Sequence, residues 1–210
     1  TQANKFAVSI KNNTERLYRL VNELLDFRKA DSGNLRLYFF EEDIVSSLKE
    51  IFDNFQTLAE AKNIQYTFKT SDPQILVYFD KDQMEKVFFN LLSNAFKFTQ
   101  NNGSISLEIN LKKRKVNIKV TDNGKGIGAE SIDFIFKNFY QAGQSFGTGI
   151  GLALSKSLIE LHKGNISVKS TPATGDQNGK TTFKVQLHLG KSHLSESDLT
   201  IAPKIENIVY

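Results

Sequence analysis

The chain has no cysteine and no tryptophan, a single methionine and only three prolines in 210 residues. Without cysteine there can be no disulfide, thiolate metal site or cysteine nucleophile. No stretch approaches the ~20 consecutive apolar residues of a membrane span, and no signal peptide opens the chain. Charge of one sign is also missing: 27 Lys and Arg stand against 23 Asp and Glu, for a net charge of +4. The signs are interspersed, which argues against a nucleic-acid footprint. The one basic run, Lys112 to Lys115, lies between two strand-like segments and reads as a solvated turn. Three Asn-X-Ser/Thr triplets match glycosylation acceptors only formally. What the chain has in quantity is phenylalanine, seventeen of them, enough for a phenylalanine-rich core.

Periodicity divides the chain into alternating elements. Residues 1–29 carry Phe6, Ile10, Leu17, Leu20, Val21, Leu24 and Leu25 with charges between them, an amphipathic helix that Gly33 can stop. That stripe has to be covered, either by its own domain or by a second chain. Strands are predicted over 35–40, 64–70, 75–79, 104–111, 116–121, 166–170 and 183–189. Helices are predicted from the Asp43 cap to about Lys62, from Asp80 to about Asn101, around 131–136 and over 150–162. Asp80 with Gln83 has capping-box spacing. Residues 191–210 look like a tail or linker. This order predicts an α+β protein, a two-layer α/β sandwich with one sheet and helices on one face.

Three segments carry chemistry. On the helix from Asp80, Asn90, Asn94 and Lys97 recur at i, i+4 and i+7 and share a face. Two carboxamides and an ammonium on one stripe suit a hard cation and a phosphate. Magnesium keeps most of its waters, so one protein oxygen can suffice. Asp122 ends a strand and enters a turn with Gly124, Gly126 and Ile127. Such an aspartate can accept a hydrogen bond from an exocyclic amine, which adenine has and guanine lacks at that position. Gly147, Thr148, Gly149, Gly151 and Leu152 open a helix, whose N-terminal amides form an anion site. The spacing is not the dinucleotide fingerprint, since the acidic residue precedes the glycines. Gly179-Lys180-Thr181 resembles the end of a P-loop, but Thr174 stands where a glycine is required and a strand follows. His162, His188 and His193 have no catalytic setting; His162 fits a helix C-terminus.

The segments NLLSNAFKFT (90–99), DNGKGI (122–127), FIFKNFYQ (134–141) and GTGIGLALSKSLIELHKG (147–164) resemble the asparagine, first glycine, phenylalanine and second glycine boxes of sensor histidine kinases. The resemblance covers about residues 35–190. It extends to hybrid sensor kinases of Bacteroides type and implies the Bergerat ATP-binding fold, a mixed sheet with helices on one face. The implied ligands are ATP and Mg2+. Asn94 would contact magnesium and phosphates, Asn90 would support it, and Lys97 would face phosphate; these three form the catalytic set. Asp122 would bind the adenine amine, with Gly124, Gly126 and Ile127 shaping the pocket. Gly147, Thr148, Gly149, Gly151 and Leu152 would let the lid and helix approach the phosphates, and Thr181 would lie near Asp122.

Residues 1–32 resemble part of the second helix of a dimerisation and phosphotransfer hairpin, 33–190 the catalytic domain, and 191–210 a join to a receiver segment. The implied partners are a phosphoacceptor hairpin, a second copy of the chain through residues 1–29, and a receiver domain. The implied location is the cytoplasmic part of an inner-membrane bacterial sensor. Two departures stand out. No H-[DE]-x-[RK]-T-P-like segment is present, so the phosphoacceptor histidine is expected outside this chain. Only Tyr140 to Phe146 separates Phe139 from Gly147, so either the ATP lid is short or residues are missing there. Superfamily ATPases carry Glu, a water-activating base, at the position of Asn90; an amide cannot act as one. A nucleotide-binding or dimerisation module without turnover is the other reading.

Overall fold

A computed structural model describes residues 2–141, 148–175, 177–196 and 198–199. The first helix, α1 (Gln2–Asp31), ends as predicted at Gly33, whose φ of +70° suits glycine. Residues 35–39 do not form the predicted strand. Leu37 and Phe39 are buried with a period of two, but the Tyr38 N–H donates to the Asp80 carboxylate (2.9 Å) instead of to a neighbouring strand. Pairing starts only at β1 (Phe40–Asp43).

Asp43 caps α2 (Ile44–Asp53), accepting from the Val45 and Ser46 amides. The single helix expected to Lys62 is broken at Asn54-Phe55, and α3 (Gln56–Ala61) follows. The break drives Phe55 into the core, where it stacks on Phe96 at 5.3 Å. Phe52 stacks on Tyr66 at 3.7 Å nearby. Aromatic pairs of this kind contribute about 0.5–1.5 kcal/mol beyond area burial.

Strands β2 (Gln65–Thr70) and β3 (Leu76–Phe79) lead into α4 (Lys81–Phe98). This helix stops three residues short of the expected end. Lys62 Nζ takes the Phe96 carbonyl at 2.7 Å and the Lys125 N–H takes that of Phe98 at 3.2 Å, so the terminal carbonyls are satisfied by other parts of the fold. Strands β4 (Ser104–Lys112) and β5 (Lys115–Asp122) meet at a two-residue turn, with Lys113 and Arg114 at φ of 48° and 59°. This is the hairpin the basic run predicts. After α5 (Ala129–Ile132), shorter than and ahead of its expected span, come α6 (Gly151–Leu161), β6 (Asn165–Thr171) and β7 (Lys180–His188).

The main sheet has the order β2-β4-β5-β7-β6. It is mixed, since β2 pairs with β4 in parallel and the other pairings are antiparallel. β1 and β3 form a separate two-stranded ribbon, a departure from a single sheet. Helices α2, α4 and α6 cover the inward row of Ile105, Leu107, Ile118, Val120, Phe183 and Val185. The two-layer α/β sandwich is therefore present.

His162 and Asp80 tie the ends of this sandwich together. The Asp80 carboxylate accepts from Gln83 N and Tyr38 N, while its own amide donates to His162 Nε2 at 3.1 Å. Gln83 Oε1 instead accepts from Lys86, so the reciprocal half of the capping box is made by histidine. His162 Nδ1 meets the Leu158 carbonyl at 2.7 Å, so the ring is neutral, with its proton on Nδ1. Burial holds its pKa below the usual histidine value.

In the unfolded chain the imidazole takes up a proton near pH 6.5, and in the folded chain only at lower pH. Its stabilisation is thus complete above about pH 6.5 and is lost as pH falls. His162→Gln keeps one donor and one acceptor without titrating. Thermal unfolding from pH 7.5 to 5 should show the native protein losing more stability than this variant; equal slopes would contradict the assignment.

Candidate functional site

Asn90 and Asn94 lie on a half-buried stripe of α4 that borders the buried row of Val87, Leu91 and Ala95. Asn94 Nδ2 donates to Asn90 Oδ1 at 3.2 Å, Asn90 Nδ2 donates to Ser155 Oγ at 2.9 Å, and Ser155 Oγ donates to the Gly151 carbonyl at 2.8 Å. This chain of donors fixes which end of each amide faces which neighbour. It leaves Asn94 Oδ1 without a hydrogen bond among the described residues. A Cβ on Gly151 would come within 2.5 Å of Asn90 Oδ1, so glycine is what lets the start of α6 approach α4. Leu152 is half-buried beside it.

Asp122 ends β5 on its inward face, in line with Val116, Ile118 and Val120. It is 5% exposed, and its Oδ1 accepts from Gly124 N at 3.0 Å. Burial pushes its carboxyl up to about 6, only partly countered by that amide. Thr181 is its register partner on β7 and is equally buried. Ser170 on β6 joins them. Its hydroxyl donates to the Lys180 carbonyl, contacts Thr181 Oγ1 at 2.9 Å and accepts from Ile127 N at 2.9 Å.

The first glycine turn is wedged between backbones. A Cβ on Gly124 would lie 2.3 Å from the Phe98 carbonyl oxygen. Gly126 has φ of +70°, and its Cβ would fall 2.1 Å from the Thr171 oxygen. The turn therefore docks at once on the end of α4 and on the end of β6.

Lys97 extends from the last turn of α4, with Nζ 4.9 Å from the Phe98 ring centroid. Its pKa is lowered by burial and by the Lys125 charge. In the second glycine segment, Thr148 Oγ1 accepts from Ile150 N at 3.3 Å. Gly149 has φ of +69°, and its carbonyl accepts from Phe139 N at 3.0 Å, tying it to the aromatic box. Gly147 and lid residues 142–146 lie outside the described residues, as does the tail from residue 200.

Asn90, Asn94 and Gly151 thus come together where α4 meets the start of α6. Asp122, Gly124, Gly126, Ile127 and Thr181 come together at the first glycine turn beside the end of α4, whose last turn carries the exposed Lys97. Four participants escaped the sequence reading: Ser155, Ser170, Gly179 and Lys125. Gly179 packs its Cα against the first glycine turn, where a Cβ would fall 2.7 Å from the Gly124 oxygen. A separate concavity between α2 and α4, lined by Ser47, Glu50, Asn54, Lys81 and Glu85 among others, contains none of the motif residues.

The fit to magnesium and a nucleotide rests on the donor set. Asn94 Oδ1 is a neutral, hard oxygen of the kind magnesium accepts. Among the described residues no group of three His, Cys, Asp or Glu side chains gathers at metal-ligating spacing. A magnesium ion here would depend on Asn94 and on oxygens brought by its ligand. The buried carboxylate of Asp122 is an acceptor suited to an amine.

Residues 79–191 match the profile of the histidine kinase-, DNA gyrase B- and HSP90-like ATPases, just over half of the chain. Histidine kinase P4 of Formosa agariphila is 37% identical over 90% of this chain and 14% of its own length. The sensor histidine kinase WalK of Bacillus subtilis is 31% identical over 82% of this chain and 29% of its own length. The chain thus spans less than a third of these relatives. The catalytic domain of histidine kinase ThkA, solved in a nucleotide-free form, aligns with a TM-score of 0.63 at 26% identity, covering 71% of this chain and 95% of that one. ShkA, solved with AMPPNP, shares the fold with a TM-score of 0.76 at 23% identity, covering 89% of this chain and 39% of that one. With the boxes, the mixed sheet and these matches in agreement, the chain belongs to the histidine kinase-, DNA gyrase B- and HSP90-like ATPase family, as a catalytic domain of the sensor histidine kinase type.

Proposed function

We propose that this domain binds ATP with Mg2+ and presents the γ-phosphate to a histidine on a dimerisation hairpin. The observation that carries this reading is the amide chain from Asn94 through Asn90 to Ser155. It leaves Asn94 Oδ1 without a protein donor among the described residues, which supports a magnesium-ligand role, and the residue that stands for the base of the superfamily hydrolases is the carboxamide Asn90. An amide does not take a proton from water at neutral pH, so this arrangement favours transfer over hydrolysis. Phosphoryl transfer asks the protein mainly for positioning and charge stabilisation. When bound, magnesium would neutralise phosphate charge. Asn94 would hold it, Asn90 would hold Asn94, and Lys97 would face phosphate.

Asp122 would accept the adenine amine, with Gly124, Gly126, Ile127 and Thr181 around the base. Gly147, Thr148, Gly149, Gly151 and Leu152 would form the phosphate end. The acceptor imidazole needs little deprotonation near neutral pH. Residues 1–29 would pair with a second copy through Phe6, Ile10, Leu17, Tyr18 and Leu25, each more than half exposed here. A receiver domain would take the phosphoryl group onward, and the parent would be a membrane sensor with this part on its cytoplasmic side. No described helix is long and apolar enough to cross a membrane.

Asp122→Asn tests the base-binding end. The carboxamide presents a donor as well as an acceptor and removes the charge that favours an amine. Calorimetry with MgATP and MgGTP should show the preference for ATP shrinking by about tenfold, the size of one charge-assisted hydrogen bond. An undiminished preference would remove Asp122 from the adenine contact.

A further inference from the structure

Lys125 is the one basic side chain of the first glycine turn, and the fold fixes its backbone from both sides. Its N–H donates to the Phe98 carbonyl at 3.2 Å, and its carbonyl accepts from Ala173 N at 2.9 Å. With its backbone held, the side chain lies back over the end of α4, with Nζ 4.5 Å from the Phe98 ring centroid. Lys97 Nζ lies 4.9 Å from the same centroid. Phe98 follows Asn94 at i+4, so the ring that both ammoniums approach belongs to the residue one helical turn from the proposed magnesium ligand.

Lys125 makes no ion pair among the described residues. Its charge disfavours the charged form of Lys97. Two like charges held over one ring repel each other, and a polyanion between them turns that repulsion into attraction. The aromatic face accounts for part of the placement of Lys125, and the acid of the turn, Asp122, faces inward, away from pairing with it.

We propose that Lys125 is a second phosphate-facing cation of the nucleotide site, acting beside Lys97 at the Phe98 ring. The inference rests on the reading of these motif residues as an ATP site. Lysine suits the task because its ammonium is a compact charge on a flexible stem and can follow a phosphate chain. Lys125 would recognise the polyphosphate, not the base.

The test is a set of titrations of the whole chain and of its Lys125→Ala and Lys125→Arg variants with MgATP and with adenosine, at low and high salt. Lys125 is exposed, so neither variant opens a core cavity. Lys125→Ala should bind MgATP about five- to tenfold more weakly at low salt, the size of an exposed charge contact to phosphate, with the gap closing at high salt. Its affinity for adenosine should be unchanged, and Lys125→Arg should retain most of the MgATP affinity. Unchanged MgATP affinity in Lys125→Ala would overturn the proposal, as would an equal loss for adenosine, which would place Lys125 in the packing of Phe98. Failure of the unaltered chain to bind MgATP would overturn the ATP-site reading and this proposal with it.

Discussion

Asn94→Ala should abolish the contribution of magnesium to ATP binding. In the native protein, affinity measured by calorimetry should fall sharply when the metal is chelated. In the variant it should be low with or without metal. The fall should reach about 100-fold, since even losing a group that merely orients a metal ligand costs 10–100-fold. The substitution removes Oδ1, which serves no other described group, and leaves Asn90 Oδ1 without its donor.

Asn94 is half-buried and outside the core cluster, so the loss of one such hydrogen bond should cost only about 1 kcal/mol of stability. A folded variant with no metal response is therefore the expected result. Native-like affinity that still responds to chelation would remove Asn94 as the metal ligand. Asn90→Ala is an informative companion, because it leaves Oδ1 of Asn94 in place but releases the amide that aims it. Its effect should be smaller and of the same kind.

The carboxyl of Asp122 carries a stability cost that fits a binding role. Its folded pKa, about 6, lies above the unfolded value. Its contribution to stability is present below about pH 4 and is lost as pH rises through about 6. At neutral pH the ionised form is buried and disfavoured. The sign is opposite to that of His162, whose stabilisation is lost as pH falls. A ligand amine donating to Asp122 would offset this cost, so nucleotide should stabilise the domain most where the carboxylate is charged.

Much of this was legible in the sequence because the informative spacings are local. Asn90, Asn94 and Lys97 share a helix face by their numbers alone, and glycines that open a turn or a helix announce a close backbone approach. The alternation of β5, with Val116, Ile118 and Val120 pointing inward, also places Asp122 on the buried side. An acid in an inward row is a signal in its own right.

What stayed hidden depends on chain segments far apart in sequence. Ser155 meets Asn90 only because α6 lies on α4, and Ser170 meets Ile127 only because β6 closes the sheet. Gly179 sits in a segment that reads as an ordinary turn until the fold brings it to Gly124. The part of the predicted strand over residues 35–39 that does not form shows the limit of a period of two. Leu37 and Phe39 alternate because one side of the segment is buried, while its Tyr38 amide is satisfied by a side chain. His162 reads only as a residue that fits a helix C-terminus, because the Asp80 amide from which it accepts lies 82 residues away.

Transfer to histidine separates this account from its alternatives most sharply. On the proposed reading the arrangement would hold ATP by its base, metal and phosphates, while the residue beside Asn94 at the base position is the amide Asn90. It should therefore give very slow release of phosphate to water and rapid transfer to a positioned imidazole. The direct measurement is to mix the chain with γ-labelled MgATP and a separately prepared phosphoacceptor hairpin, and to follow label on the hairpin and as free phosphate. The expected result is acid-labile, alkali-stable label on the hairpin histidine, absent with Asn94→Ala and exceeding free phosphate. ATP that binds measurably but leaves the hairpin unlabelled, or appears only as free phosphate, would contradict the account.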